Sequence, residues 1–170
     1  GPVLKEKIET YIQLYRTWAS YEPEEEGIVI AYSSVYGNTR NAVLKLKALL
    51  QAGGVKKVTL YDLARSELSE VIADAFRYDK LVLATTTYNG GLFPAMREFI
   101  NGLIEREFQN RTVALIENGS WAPIAVKMMK EKFGKSKNIT FIEPFVKITS
   151  VLDENSEKEL EMLAEKLCRK

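Results

Sequence analysis

Apolar residues along this chain switch repeatedly between a continuous or two-residue period and a helical one, and the switches lay out its elements in order. Val3 to Trp18 places Leu4, Ile8, Tyr11, Ile12, Leu14, Tyr15 and Trp18 near one face of a helix. Tyr21 to Glu26, with a proline and four glutamates, breaks that pattern and reads as a linker. Ile28 onward is an unbroken apolar run, expected as a buried strand, which empties into the loop SSVYGNT. Thr39 to Gln51 returns to helical spacing through Ala42, Val43, Leu46, Leu49 and Leu50, and Gly53-Gly54 supplies its stop.

The same alternation continues to the C-terminus. Lys57 to Tyr61 is a short β-branched and aromatic strand, and Leu68 to Phe76 a helix. Leu81 to Ala84 is a second fully apolar strand, leaving through the turn TTTYNGGL before a helix that starts at Pro94 and runs to about Glu107. Arg111 to Ile116 is a third, opening into ENGSWA before a helix from Pro123 through Phe133. Asn138 to Ser150 reads as two strand pieces interrupted at Glu143-Pro144, and Asn155 to Cys168 closes the chain as an amphipathic helix. Strand and helix in alternation predict an α/β fold, a doubly wound parallel sheet with helices on both faces. Ligands in such sheets sit beyond the C-terminal strand ends, at the point where strand order reverses.

Composition narrows what such a ligand can be. With 24 Lys+Arg against 23 Asp+Glu the formal net charge is +1, so no overall field points to nucleic acid or an anionic membrane. Zero histidines and a single cysteine, Cys168, exclude an internal disulfide and leave metal redox chemistry within this chain without its usual ligands. Apolar runs are too short to span a bilayer and the start lacks a signal-peptide pattern, so a cytoplasmic location is expected. Gly1-Pro2 has the form of a scar left when a protease removes an expression tag, so the true N-terminus is expected to be missing.

The three apolar strands each open into a loop rich in Gly, Asn, Ser, Thr and aromatics. Taken singly, each is what any tight strand-to-helix turn requires. Their coincidence on one edge of the sheet is the functional signal. Ser33, Ser34, Gly37, Asn38 and Thr39 offer hydroxyls and backbone N–H groups at a helix N-terminus, an anion cradle without a Lys or Arg. Neither GxxxxGK[ST] nor GxGxxG is present, so a triphosphate or a dinucleotide pyrophosphate lacks its usual contacts and a monophosphate is the best guest. Tyr88 beside Asn89, Gly90 and Gly91, and Trp121 after Asn118, Gly119 and Ser120, suit a flat heterocycle both stacked and hydrogen-bonded at its rim. Phosphate, spacer and flat ring together describe FMN.

On AYSSVYGNT, TTTYNGGLFPAM and RTVALIENGSWAP the sequence resembles the flavodoxin fold, and more closely the flavodoxin-like domain of flavodiiron proteins, the A-type flavoproteins. The resemblance covers roughly Gly27 to the C-terminus and implies a five-stranded parallel sheet in the order 2-1-3-4-5. It implies an FMN phosphate held by Ser33, Ser34, Val35, Tyr36, Gly37, Asn38 and Thr39. The isoalloxazine would lie between Thr86, Thr87, Tyr88, Asn89, Gly90 and Gly91 on one side and Asn118, Gly119, Ser120 and Trp121 on the other. For Tyr36, stacking on the ribityl chain and merely covering the loop both stay open. ETYIQLYRTWASYEPEE is similar to the helix and linker that join the family's metallo-β-lactamase-like diiron domain to its flavin domain. Residues 1–26 are thus expected to be a connector and 27–170 the FMN domain.

In that family electrons pass from a donor such as rubredoxin or a flavin reductase through FMN to a diiron site that reduces O2 or NO, in a head-to-tail homodimer. A chain without histidine cannot supply that diiron site itself, so it would act with a diiron domain of the same or a partner chain. Two other readings stay open: a stand-alone FMN-dependent NAD(P)H quinone or nitro reductase or flavodoxin-like carrier, and an interaction module that has lost its cofactor.

Overall fold

The computed structural model describes residues 7–120 and 123–169. Helix α1 (Ile8–Ala19) precedes strand β1 (Glu25–Tyr32) and helix α2 (Asn38–Ala52), followed by β2 (Val58–Asp62) and α3 (Leu68–Arg77). The chain then forms β3 (Tyr78–Tyr88), the short β4 (Gly91–Leu92), α4 (Pro94–Glu105), β5 (Arg111–Asn118), α5 (Ala125–Lys132), β6 (Ile139–Ile148) and α6 (Glu154–Cys168). The main sheet runs β2-β1-β3-β5-β6 with every neighbouring pair parallel. These five parallel strands stand in the expected order 2-1-3-4-5, and β4 adds a short antiparallel pairing to β3.

Alternation along each strand divides the core in two. Val29 and Ala31, Leu81 and Leu83, and Val113 and Leu115 face α3, α4 and α5, where they pack with Phe99, Ile100 and Met129. Ile28 and Ile30, Val82 and Ala84, and Ala114 and Ile116 face α2 and α6, against Leu46, Leu50, Leu160 and Leu163. Both sheet faces are therefore covered, which is why the three central strands read as unbroken apolar runs. Among the described residues no helix is long and apolar enough to cross a membrane.

Several boundaries differ from the sequence reading. β3 and β5 each run further than their apolar cores, to Tyr88 and Asn118, because polar Thr85, Thr86, Glu117 and Asn118 pair with one another across the ladder. The acidic linker ends at Glu24, and Glu25 already pairs with Tyr78. β6 is one strand, not two: its register against β5 shifts between Ala114↔Ile142 and Ile116↔Val146. That irregularity holds Pro144, tolerable because β6 is an edge strand. The expected start of α5 at Pro123 moves to Ala125.

Helix α1 buries none of its residues, and Ile8, Tyr11, Ile12, Tyr15 and Trp18 are all exposed. Among the described residues its ties to the sheet lie at its C-terminal end. Trp18 Nε1 donates to Glu24 (2.7 Å), Asn110 Nδ2 to the carbonyl of Ser20 (3.1 Å), and the Glu24 amide to the carbonyl of Arg77 (2.8 Å). Arg111, 3% exposed, is the centre of this joint. Its guanidinium donates to the carbonyls of Tyr78 (2.9 Å), Tyr21 (2.6 Å), Gln109 (3.2 Å), Asn110 (3.1 Å) and Phe76. Burial lowers its pKa, opposed by Glu22 and Asp79.

Arg111→Met removes those donors and strands buried carbonyls, so it should destabilise the fold by roughly 3 kcal/mol or more, read as a lowered urea midpoint. A second expectation concerns α6, where Asp153 accepts from the Ser156 amide and Ser156 Oγ accepts from the Asp153 amide, both at 2.8 Å. The Ser156 amide and the Ser156 hydroxyl, which donates to the same Asp153 Oδ1 at 2.7 Å, depress the Asp153 pKa below its ordinary 3.8. The depressed value makes the stabilisation fully present above that ordinary value and lost as pH falls through the lower, folded one. Comparing acid unfolding of the wild type with Asp153→Asn should show a steeper loss of stability in the wild type over that window.

Candidate functional site

The C-terminal edge of the sheet is set by three parallel neighbours. Tyr32 pairs with Ala84 and Thr86 with Asn118, so the loops after β1, β3 and β5 leave side by side. β1 and β3 are also where strand order reverses, since β2 lies on one side of β1 and β3 on the other. A cleft of about 220 Å³ opens there, lined by Ser34, Val35, Tyr36, Asn38, Thr39, Thr86, Thr87, Tyr88, Asn118, Gly119, Ser120 and Ser150. None of these side chains is charged.

The first loop is built for a tight entry into α2. The Gly37 amide donates to Ser34 Oγ (3.1 Å), and Gly37 itself takes φ 89°, a left-handed conformation that a side chain would strain. Its carbonyl accepts from the Asn41 amide (2.9 Å), and no side chain caps the helix. The first-turn N–H groups of α2 thus open toward the cleft with the positive end of the helix dipole behind them. Thr39 lies in that turn, 1% exposed, and its hydroxyl makes no hydrogen bond within the protein. The buried hydroxyl of Thr86 is likewise unpartnered. Buried polar groups are normally satisfied; of the three unpartnered buried hydroxyls among the described residues, Thr59 lies on β2 away from the cleft and the other two line it.

Other expected site residues hold the walls instead. Ser33 is fully buried under the cleft, its hydroxyl 2.7 Å from that of Thr85 on β3. Asn89 (φ 48°) and Gly90 (φ 67°) are the two left-handed residues of a hairpin turn, with Tyr88 pairing Gly91 and Thr87 pairing Leu92. The dipeptide Asn-Gly was the sequence signal for that hairpin. Asn89, Gly90 and Gly91 therefore form a turn tip, and with Ser33 and Gly37 they do not line the cleft. Trp121 lies outside the described residues.

Asn118 lines the cleft but spends its amide elsewhere: Nδ2 donates to the carbonyl of Ser150 (3.1 Å) and Oδ1 accepts from its amide (3.2 Å). Ser120 Oγ and Ser150 Oγ meet at 2.7 Å, and the Gly119 amide donates to the carbonyl of Ile148 (3.0 Å). Ser150, at φ 66°, is a cleft residue that the sequence reading missed. Its signal was topological, since it follows the C-terminal end of β6 on the same sheet edge as the other loops. Thr87 Oγ1 accepts from the Ile124 amide (3.1 Å). Tyr36 stands 92% exposed and Tyr88 46% exposed at the mouth, Tyr88 edge-on to Phe93 with ring centroids 5.7 Å apart. Burial and then Asp62 raise the pKa of the Tyr32 phenol above its ordinary value. Among the described residues no group of three or more His, Cys, Asp or Glu could hold a metal ion.

Residues 29–144 match the family model of the flavodoxin domain. The chain belongs to the flavodoxin domain family. Among curated proteins this flavodoxin domain is 22% identical over 133 residues to anaerobic nitric oxide reductase flavorubredoxin of Escherichia coli O1:K1, covering 78% of the chain and 28% of that relative. It thus spans well under half the length of the curated relatives it matches. Among solved structures, rubredoxin oxygen:oxidoreductase from Desulfovibrio gigas superposes with a TM-score of 0.83 at 19% identity, over 95% of this chain and 39% of that one. A mutant of the flavo di-iron protein from Thermotoga maritima gives 0.76 at 23% identity, over 99% and 42%. A flavodoxin from the domain Archaea gives 0.71 at 17% identity, over 84% of this chain and 96% of that one. At such identities the superpositions establish the fold.

The orphaned Thr39 hydroxyl predicts an unusual stability effect. Thr39→Val keeps the shape and β-branching while removing a buried unsatisfied group, so the ligand-free domain should be unchanged or more stable, by up to about 1 kcal/mol. Thermal unfolding of the two proteins without ligand measures this.

Proposed function

We propose that this chain is the FMN-carrying, electron-transferring domain of a flavodiiron-type oxidoreductase. The single observation that supports it best is the buried, unpartnered Thr39 hydroxyl at an uncapped helix N-terminus, opening on an uncharged cleft at the strand-order reversal. A phosphate monoester satisfies that hydroxyl and the first-turn amides together, and its charge is favoured by the helix dipole alone. The wider mouth, flanked by Tyr88 and by Asn118 to Ser120, suits a flat ring system.

In this reading Ser34, Asn38 and Thr39 hold the phosphate end. Thr86 offers the free hydroxyl on the floor, and Thr87, Gly119 and Ser120 form the wall. FMN, when bound, supplies the one- and two-electron redox chemistry. The protein's own residues bind and orient it and shield one side from water. Flavorubredoxin and rubredoxin oxygen:oxidoreductase support the role of relay from a donor such as rubredoxin or a flavin reductase to a diiron site. With no histidine among these residues, that diiron site would belong to a separate diiron domain of the same or a partner chain.

The purified chain should take up FMN with loss of free-flavin fluorescence and bind riboflavin less well. Thr39→Val should weaken FMN by roughly 1–3 kcal/mol, about 5- to 150-fold, and leave riboflavin unchanged. A chain that binds neither flavin overturns the proposal. Sustained NAD(P)H oxidation with a quinone would instead identify a self-contained reductase.

A further inference from the structure

Glu117 is a buried carboxylate, 1% exposed, directly before the cleft residues Asn118 to Ser120. A carboxylate in such a place is costly unless it is hydrogen-bonded. Its Oε2 accepts the amide of Val126 at 2.8 Å, in the first turn of α5, and its Oε1 lies 3.6 Å from Nζ of Lys147 on β6. The ammonium of Lys147 is 64% exposed, so the short bond to Val126 is the dominant partner.

The reason for that bond lies in α5 itself. Pro123-Ile124-Ala125 brings no Ser, Thr, Asp or Asn to the helix start, Ile124 is the capping position, and no side chain of that segment caps it. Two side chains from the sheet supply the missing acceptors: Thr87 from β3 takes the Ile124 amide, and Glu117 from β5 takes that of Val126. The other end of the third loop is clamped separately, by the paired bonds of Asn118 with Ser150. The described ends of that loop are therefore held on one side at Asn118 by Ser150, just after β6, and on the other at Ile124 and Val126 by Thr87 and Glu117.

We infer that Glu117 is a positioning residue for the ring-binding wall, acting as a helix cap delivered from the neighbouring strand. This rests on the flavin reading above for its effect on ligand, but not for its effect on the loop. What matters is reach. Glu117→Gln retains an acceptor oxygen at the same distance without the charge, and Glu117→Asp retains the charge one methylene short of Val126.

The test compares both variants with the wild type in two measurements. In the ligand-free protein, amide hydrogen exchange at Ile124 and Val126 should accelerate in Glu117→Asp and stay near wild type in Glu117→Gln. In flavin titrations Glu117→Asp should weaken FMN and riboflavin alike, by about tenfold, the loss of one buried hydrogen bond. Glu117→Gln should stay within about twofold, unlike the FMN-selective loss expected of Thr39→Val. Unchanged exchange in Glu117→Asp, or equal impairment of both variants, overturns the inference. A wild type that binds no flavin overturns the flavin reading alone, since the exchange comparison still decides the role of Glu117.

Discussion

The ladder between β1 and β3 is the constraint on which the site depends. Parallel pairing from Ile28↔Lys80 to Tyr32↔Ala84 sets two strand ends level, and the buried hydroxyl pair Ser33–Thr85 continues the connection one residue past it. A slip of one residue would exchange Ile30 and Tyr32 with Val29 and Ala31 between the two cores and break both. The hydrophobic alternation that holds the sheet together is thus the same feature that places the first-turn amides of α2 opposite Thr86. Packing and site geometry are one requirement here.

Hydrogen-bond accounting divides the polar residues of that edge into two groups. Ser33, Thr85, Thr87, Asn118, Ser120 and Ser150 satisfy one another or the backbone, and so build the walls. The hydroxyls of Thr39 and Thr86 are buried without a partner and line the cleft. Residue type does not separate the groups, since threonines occur in both. Three-dimensional pairing does: buried hydroxyls are normally paired, and two of the three unpartnered ones among the described residues, those of Thr39 and Thr86 but not Thr59, line the cleft.

Electrostatics at the cleft is carried by dipoles. No ionisable side chain except the two exposed phenols, Tyr36 and Tyr88, lines it, and the nearest buried carboxylate, Glu117, is turned into the start of α5. The positive end of a helix dipole is left uncapped at α2. The strongly held charge of the molecule lies at the opposite edge, where Arg111 gathers five carbonyls and fixes the direction in which α1 leaves the domain.

The sequence by itself determined the architecture: a switch between two hydrophobic periods needs only local pattern and burial on both sheet faces, and that placed every helix and the five parallel strands. It also marked the three loops, because glycines and hydroxyls at strand ends are visible one residue at a time. Tertiary structure decided which of those residues face the cleft. Asn118 and Thr87 both line the cleft, but only the fold shows that their polar atoms also bond Ser150 and Ile124, and Ser150 was hidden behind a strand that Pro144 made appear broken. The role of Glu117 was equally invisible, since a cap that crosses from β5 to α5 leaves no spacing in the chain to find. Such contacts arise from the register of neighbouring strands, and register is a property of the folded sheet.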